Sequence, residues 1–72
     1  MWSLFFINNM ECQVKHYEED SRLGIKGGRI SKLAIRRKGR WILNYDRGWD
    51  IHPDRNDKEL MATYKEIVKK YN

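Results

Sequence analysis

The chain opens on a dense apolar run, Trp2-Ser-Leu-Phe-Phe-Ile7, closed by Asn8-Asn9. Asn tolerates positive φ, so this pair signals a turn. Met10, Cys12 and Val14 then alternate with Glu11, Gln13 and Lys15, the period of a half-buried strand. The two stretches together read as a hairpin whose first strand is buried. Residues 18–24 are polar and end in glycine, a loop. Gly24-Ile-Lys-Gly-Gly28 carries three glycines in five residues, a second loop or the bent start of a strand. From Ile30 to Arg37, Leu33 and Ile35 share one face, with Lys32, Ala34 and Arg36 on the other. Lys38-Gly39 makes a tight turn. Trp41, Leu43 and Tyr45 alternate with Ile42, Asn44 and Asp46 as a fourth strand. Asp46-Arg47-Gly48 breaks it as a bulge, Trp49 and Ile51 continue it briefly, and Pro53 ends it.

The last segment changes period. Leu60, Met61, Tyr64, Ile67, Val68 and Tyr71 form one stripe at helical spacing. Asn56 is placed to cap this helix, with Glu59 three residues on as in a capping box. Lys69 and Lys70 near its C-terminus suit the helix dipole. The order ββββα predicts one α+β domain over residues 1–72. Its sheet is four-stranded and mainly antiparallel, with the helix packed on one face. The opposite face is left open, with Lys32, Arg36, Arg40 and several aromatics expected on it.

The 72-residue length suits one domain with a small core. Scaffolds of this size usually need a disulfide, a metal or a partner subunit. Cys12 is the only cysteine, so no internal disulfide forms, and a reducing, cytoplasmic setting is expected. Cys12, His16 and His52 are too few for a structural zinc site. That leaves a homodimer as the expected support. No apolar run approaches the roughly 20 residues that span a bilayer, so no membrane segment is expected. The apolar start also lacks the basic flank of a signal peptide.

Charge changes the picture most. Residues 1–21 hold one lysine against four acids, and residues 48–72 hold five of each sign. Residues 22–47 hold nine Lys/Arg against Asp46 alone. Such a block attracts polyanions whatever the fold. The residues expected to contact a nucleic acid or an acidic protein surface are Arg29, Lys32, Arg36, Arg37, Lys38, Arg40 and Arg47, with Trp49 stacking on bases. The plain alternative is a solvated, aggregation-resistant strand face.

Other chemistry is thin. Gly24-Ile-Lys-Gly27 has the GxxG spacing of one RNA-binding loop, but that loop is flanked by helices, and here a strand follows. Asp46, Asp50 and His52 lie close together, as in a metal-dependent nuclease, yet strand-to-helix connections are often acidic. Cys12 alternates with apolar neighbours and reads as a core thiol. His16 beside Val14 reads as structural. No catalytic residues, metal site or cofactor motif are expected.

GGRISKL at residues 27–33 and NYDRGWD at residues 44–50 together resemble a family of small uncharacterised proteins from phages and prophages of Gram-positive bacteria. The likeness covers about residues 10–72, and the first strand departs from it. It implies a short protein acting in the cytoplasm of a bacterial host. The element order also resembles the single-strand-binding, dimeric fold of the positive-cofactor-four type, an analogy that does not fix function. The leading expectation is a non-enzymatic nucleic-acid-binding accessory protein. The alternative is a protein-binding inhibitor or adaptor, such as an anti-CRISPR or other anti-defence protein. A metal-dependent nuclease is the third reading.

Overall fold

The computed structural model describes residues 2–72. Strands β1 (Trp2–Ile7), β2 (Met10–His16), β3 (Ile30–Arg37), β4 (Arg40–Asp46) and β5 (Trp49–Ile51) precede one helix, α1 (Lys58–Tyr71). The sheet has five strands in the order β1-β2-β3-β4-β5, each antiparallel to its neighbour. The expected four-stranded sheet is therefore corrected to five. Trp49–Ile51 does not continue β4. Arg47 adopts a φ of 55°, the chain reverses, and Tyr45 and Trp49 pair across the new ladder.

The turns follow from their residues. Asn8 and Asn9 take φ of 51° and 63°, and Lys38 and Gly39 take 51° and 77°. Two successive positive φ values match the twist of the flanking strands. The core lies between the sheet and α1. Met10, Cys12, Val14, Leu33, Ile35 and Leu43 on the strands are fully buried, and Leu60 and Ile67 on the helix nearly so. The helical stripe is as expected, with Thr63 as an unforeseen buried member. Burial pushes the Cys12 thiol up to about 11, consistent with a core thiol rather than a nucleophile.

A bulge at Ile35/Arg36 corrects the face of Trp41. Ile35 pairs with Leu43 but Arg36 pairs with Trp41, so Ile42 is the extra residue. Trp41 therefore lies beside Arg36 on the open face, while Leu43 and Tyr45 stay in the core. The first strand is corrected too. β1 is an edge strand covered on one face only, and Trp2, Leu4 and Phe6 are 50%, 70% and 73% exposed.

The glycine segment is a 3₁₀ turn, Ile25–Gly27, not the start of a strand. Ile25 is its anchor in the core. The Asn72 side chain accepts from the Arg29 and Ile30 amides at 3.0 and 3.1 Å and donates to the Ile25 carbonyl at 3.0 Å. A side chain on Gly28 would overlap that of Asn72, which explains the glycine.

Asp57, not Asn56, caps α1: its carboxylate accepts from the Leu60 amide at 3.1 Å. The same carboxylate takes two hydrogen bonds from Arg37, at 2.8 and 3.3 Å. The Arg37 bonds, helped by the Leu60 amide, hold Asp57 below the ordinary carboxylate value. The stability it contributes is thus complete above that ordinary value. It is lost as the pH falls below 3.8 and through the lowered folded pKa. Asp57→Asn keeps a capping side chain but not the charge. It should lower the melting temperature by several degrees at neutral pH and remove part of the acid loss. Wild type and variant should converge in acid when melting is followed against pH. Parallel acid limbs would assign the acid sensitivity to another carboxylate.

Candidate nucleic-acid interface

The basic block is divided by the fold. Lys32 and Arg36 lie on the open sheet face, within ion-pair reach of Asp46 (3.8 Å) and Glu11 (2.7 Å) respectively. Arg36 also sits over the Trp41 ring, 5.0 Å from its centre. Arg37 points the other way and clamps the start of α1 through Asp57 and Glu59. Its charge is committed to the fold. Arg47 lies in the β4–β5 turn, 3.4 Å from Asp46. Lys38 and Arg40 are exposed at the β3–β4 turn, and Arg29 is half-buried beside the glycine segment. Among the described residues, Arg29, Lys38 and Arg40 make no ion pair.

Trp49 separates from most of the block. It is half-buried on the helix side of the sheet, with its ring edge-on to Tyr45 at 5.0 Å and 5.9 Å from the Tyr64 ring. His52 stacks on it at 5.3 Å, with the two planes 24° apart. Tyr45 is pinned from behind: its hydroxyl donates to the Leu23 carbonyl at 2.7 Å. Burial raises the pKa of both Tyr45 and Tyr64, so both stay neutral as core aromatics.

Trp49, His52 and Tyr64 form the aromatic wall of a cleft of about 810 Å³ between the sheet edge, the 3₁₀ turn and α1. Four cations line it, Lys26, Arg55, Lys58 and Lys65, and no carboxylate does. Lys26 is presented from a backbone φ of 54°. Lys58 and Lys65 are seven residues apart, two turns of one helix face. The acids of this region are occupied elsewhere. Asp57 and Glu59 bind Arg37, and the Asp54 carboxylate accepts from the Asn56 amide at 2.9 Å. The cleft can therefore attract an anion and offer a ring face for stacking.

Sequence reasoning had Lys26 within the basic block and Trp49 as a stacking residue beside it, but missed Arg55, Lys58 and Lys65. They lie in a third of the chain whose charges cancel on counting. The usable signal was the spacing of Lys58 and Lys65 on one face of the helix. The acidic cluster does not assemble. Asp46 faces Lys32 and Arg47, and His52 stacks on Trp49. Among the described residues no group of three His, Cys, Asp or Glu side chains converges. No described helix is long and apolar enough to cross a membrane.

These features define a small α+β domain with a basic, aromatic-walled cleft. The chain belongs to the family described as a domain of unknown function (DUF7678), whose model matches residues 1–72. This agrees with the resemblance to an uncharacterised family. No curated protein and no solved structure matches the chain.

Proposed function

We propose that this domain binds nucleic acid without catalysing a reaction, and that a single strand runs through the cleft between β5 and α1. The observation that carries this reading is the lining itself: four cations, no carboxylate and a Trp49–His52 stack. Phosphates lie against Lys26, Arg55, Lys58 and Lys65, and an unstacked base packs on the aromatic wall. A single strand is favoured because a duplex buries its base faces and cannot use that wall. Arg29, Lys38 and Arg40 add to the attracting field. Lys32, Arg36 and Arg47 sit beside acids and contribute less. Phage or prophage origin, implied by the motif resemblance, would make this an accessory protein acting in the host cytoplasm.

The test is fluorescence anisotropy of labelled single-stranded DNA, duplex DNA and RNA over a salt series. The double variant Lys58→Ala/Lys65→Ala should bind at least tenfold more weakly. It should also lose about 1.4 from the slope of log affinity against log salt, since each single-strand phosphate contact contributes about 0.7. Both positions are exposed, so folding should be unchanged. Wild-type binding that ignores polymer type and vanishes with modest salt would overturn the proposal.

A second reading, a protein-binding inhibitor or adaptor, is favoured by the open sheet face. It combines exposed Trp41 and Ile51 with charges of both signs at Glu11, Lys32, Arg36 and Asp46, a mixture typical of protein interfaces. A stoichiometric complex with one protein that survives nuclease treatment would favour it over the first.

A further inference from the structure

The two edges of the sheet are unlike. β5 has three residues, includes Asp50, and is followed by Pro53. Short length, charge and proline are the usual devices that stop an edge from pairing. β1 has none of them. It is six residues long, with no charge and no proline. Its ladder to β2 runs in unbroken register from Trp2↔Lys15 to Ile7↔Met10, whereas each of the other three ladders carries a shift. A bulge would have twisted this edge away from a partner. β1 pairs with β2 alone, so its outer row of backbone N–H and C=O groups faces outward.

Both sides of that edge are apolar. Leu4 and Phe6 stand out on the open face, 70% and 73% exposed. On the helix side, Phe5 and Ile7 line a groove below α1, bordered by Glu66 and Lys70. Glu66 and Lys70 are one helical turn apart and opposite in sign. The rim of that groove therefore carries one charge of each sign, so a second copy presenting the same rim meets no one-sign field.

We infer that β1 is a self-pairing edge and that its occupant is β1 of a second copy, antiparallel, in one continuous ten-strand sheet. The contact is isologous, so it uses both β1 edges and closes at two chains. The guarded β5 edges stop further growth. The pairing satisfies the outer backbone groups, joins the two Leu4–Phe6 ridges, and leaves the β5–α1 clefts open. It goes beyond the nucleic-acid reading and does not depend on it.

Sedimentation velocity over a concentration series tests this. The wild type should be a dimer in the micromolar range. Leu4→Lys and Phe6→Lys, both at exposed positions, should be folded monomers by circular dichroism. Trp41→Lys, exposed on the same face but away from the β1 edge, should remain a dimer. Amide hydrogen exchange along β1 should be slow in the wild type and faster in Leu4→Lys. A wild type that stays monomeric, or lysine variants that stay dimeric, would overturn the pairing. Loss of the dimer in Trp41→Lys would overturn it in favour of face-to-face sheet packing.

Discussion

Leu33→Ala should remove a large share of the stability of this domain. Leu33 is fully buried, with Val14 and Tyr45 as its partners on either side in the sheet. Deleting its side chain costs both the transfer of the lost methylenes and the cavity they leave, about 2–5 kcal/mol for buried leucine. At about 0.05–0.15 kcal/mol per residue, a chain of this length has only about 4–11 kcal/mol in all. The site has little freedom to collapse, because Leu33 sits on the central strand with a paired strand on each side. Urea unfolding should show the midpoint shifted strongly down with an unchanged slope. A loss below about 1 kcal/mol would mean that the neighbours close over the cavity, contrary to a rigid centre.

Gly24→Ala should be nearly as damaging, for a different reason. The φ of Gly24 is −78°, which alanine adopts without strain. The obstacle is space. A methyl group there would fall on the Gly28 carbonyl and 3.2 Å from the Ile30 oxygen, all backbone atoms that cannot rotate away. Overpacking of this kind costs about 1–3 kcal/mol when the structure yields. Yielding here means opening the loop that Ser21 and Gly28 close through an amide-to-carbonyl bond of 2.9 Å. Opening also withdraws Ile25 from the core, at a further cost of about 1.5–3 kcal/mol if it becomes fully exposed. Gly27 is the internal comparison. It has a φ of +68° and open space around it, so Gly27→Ala should cost only about 1 kcal/mol, from backbone strain alone. Thermal melts of the two variants separate these causes. Equal shifts would show that crowding at Gly24 is relieved without opening the loop.

The local pattern made much of this fold legible. Alternation along Met10–Val14 and around Leu33 and Ile35 marked the buried face, and Asn8-Asn9 and Lys38-Gly39 marked two turns. Three features were not legible, because each depends on a long-range placement. The bulge that turns Trp41 outward is set by how β3 meets β4. The reversal at Arg47 uses a positive φ at an arginine, a residue type that carries no turn signal, and is held by its amide bond to the Ser31 carbonyl at 2.9 Å. Asp57 outcompetes Asn56 as the cap because Arg37, twenty residues earlier, anchors the same carboxylate. The candidate site shows the same limit. Counting charges along the chain located a basic block, but Lys32 and Arg36 face acids across strands and Arg37 is tied to the start of the helix. The four cations of the cleft converge from the 3₁₀ turn, the segment after β5 and the helix.

The strand order has a kinetic consequence. Every strand pairs with its neighbour in sequence, so most of the sheet can zip from short hairpins, at low loop-closure cost. The helix-side tie is different. Asn72 reaches back 42 to 47 residues to the glycine segment. Contacts of such separation form late, after the local ones have shortened the effective loop. The meander should therefore assemble first and the helix dock last. Until it docks, the face holding Met10, Val14 and Leu33 is as bare as the open face on the other side. Fast helix docking would then shorten the time for which both faces of the sheet are open to association through the wrong one.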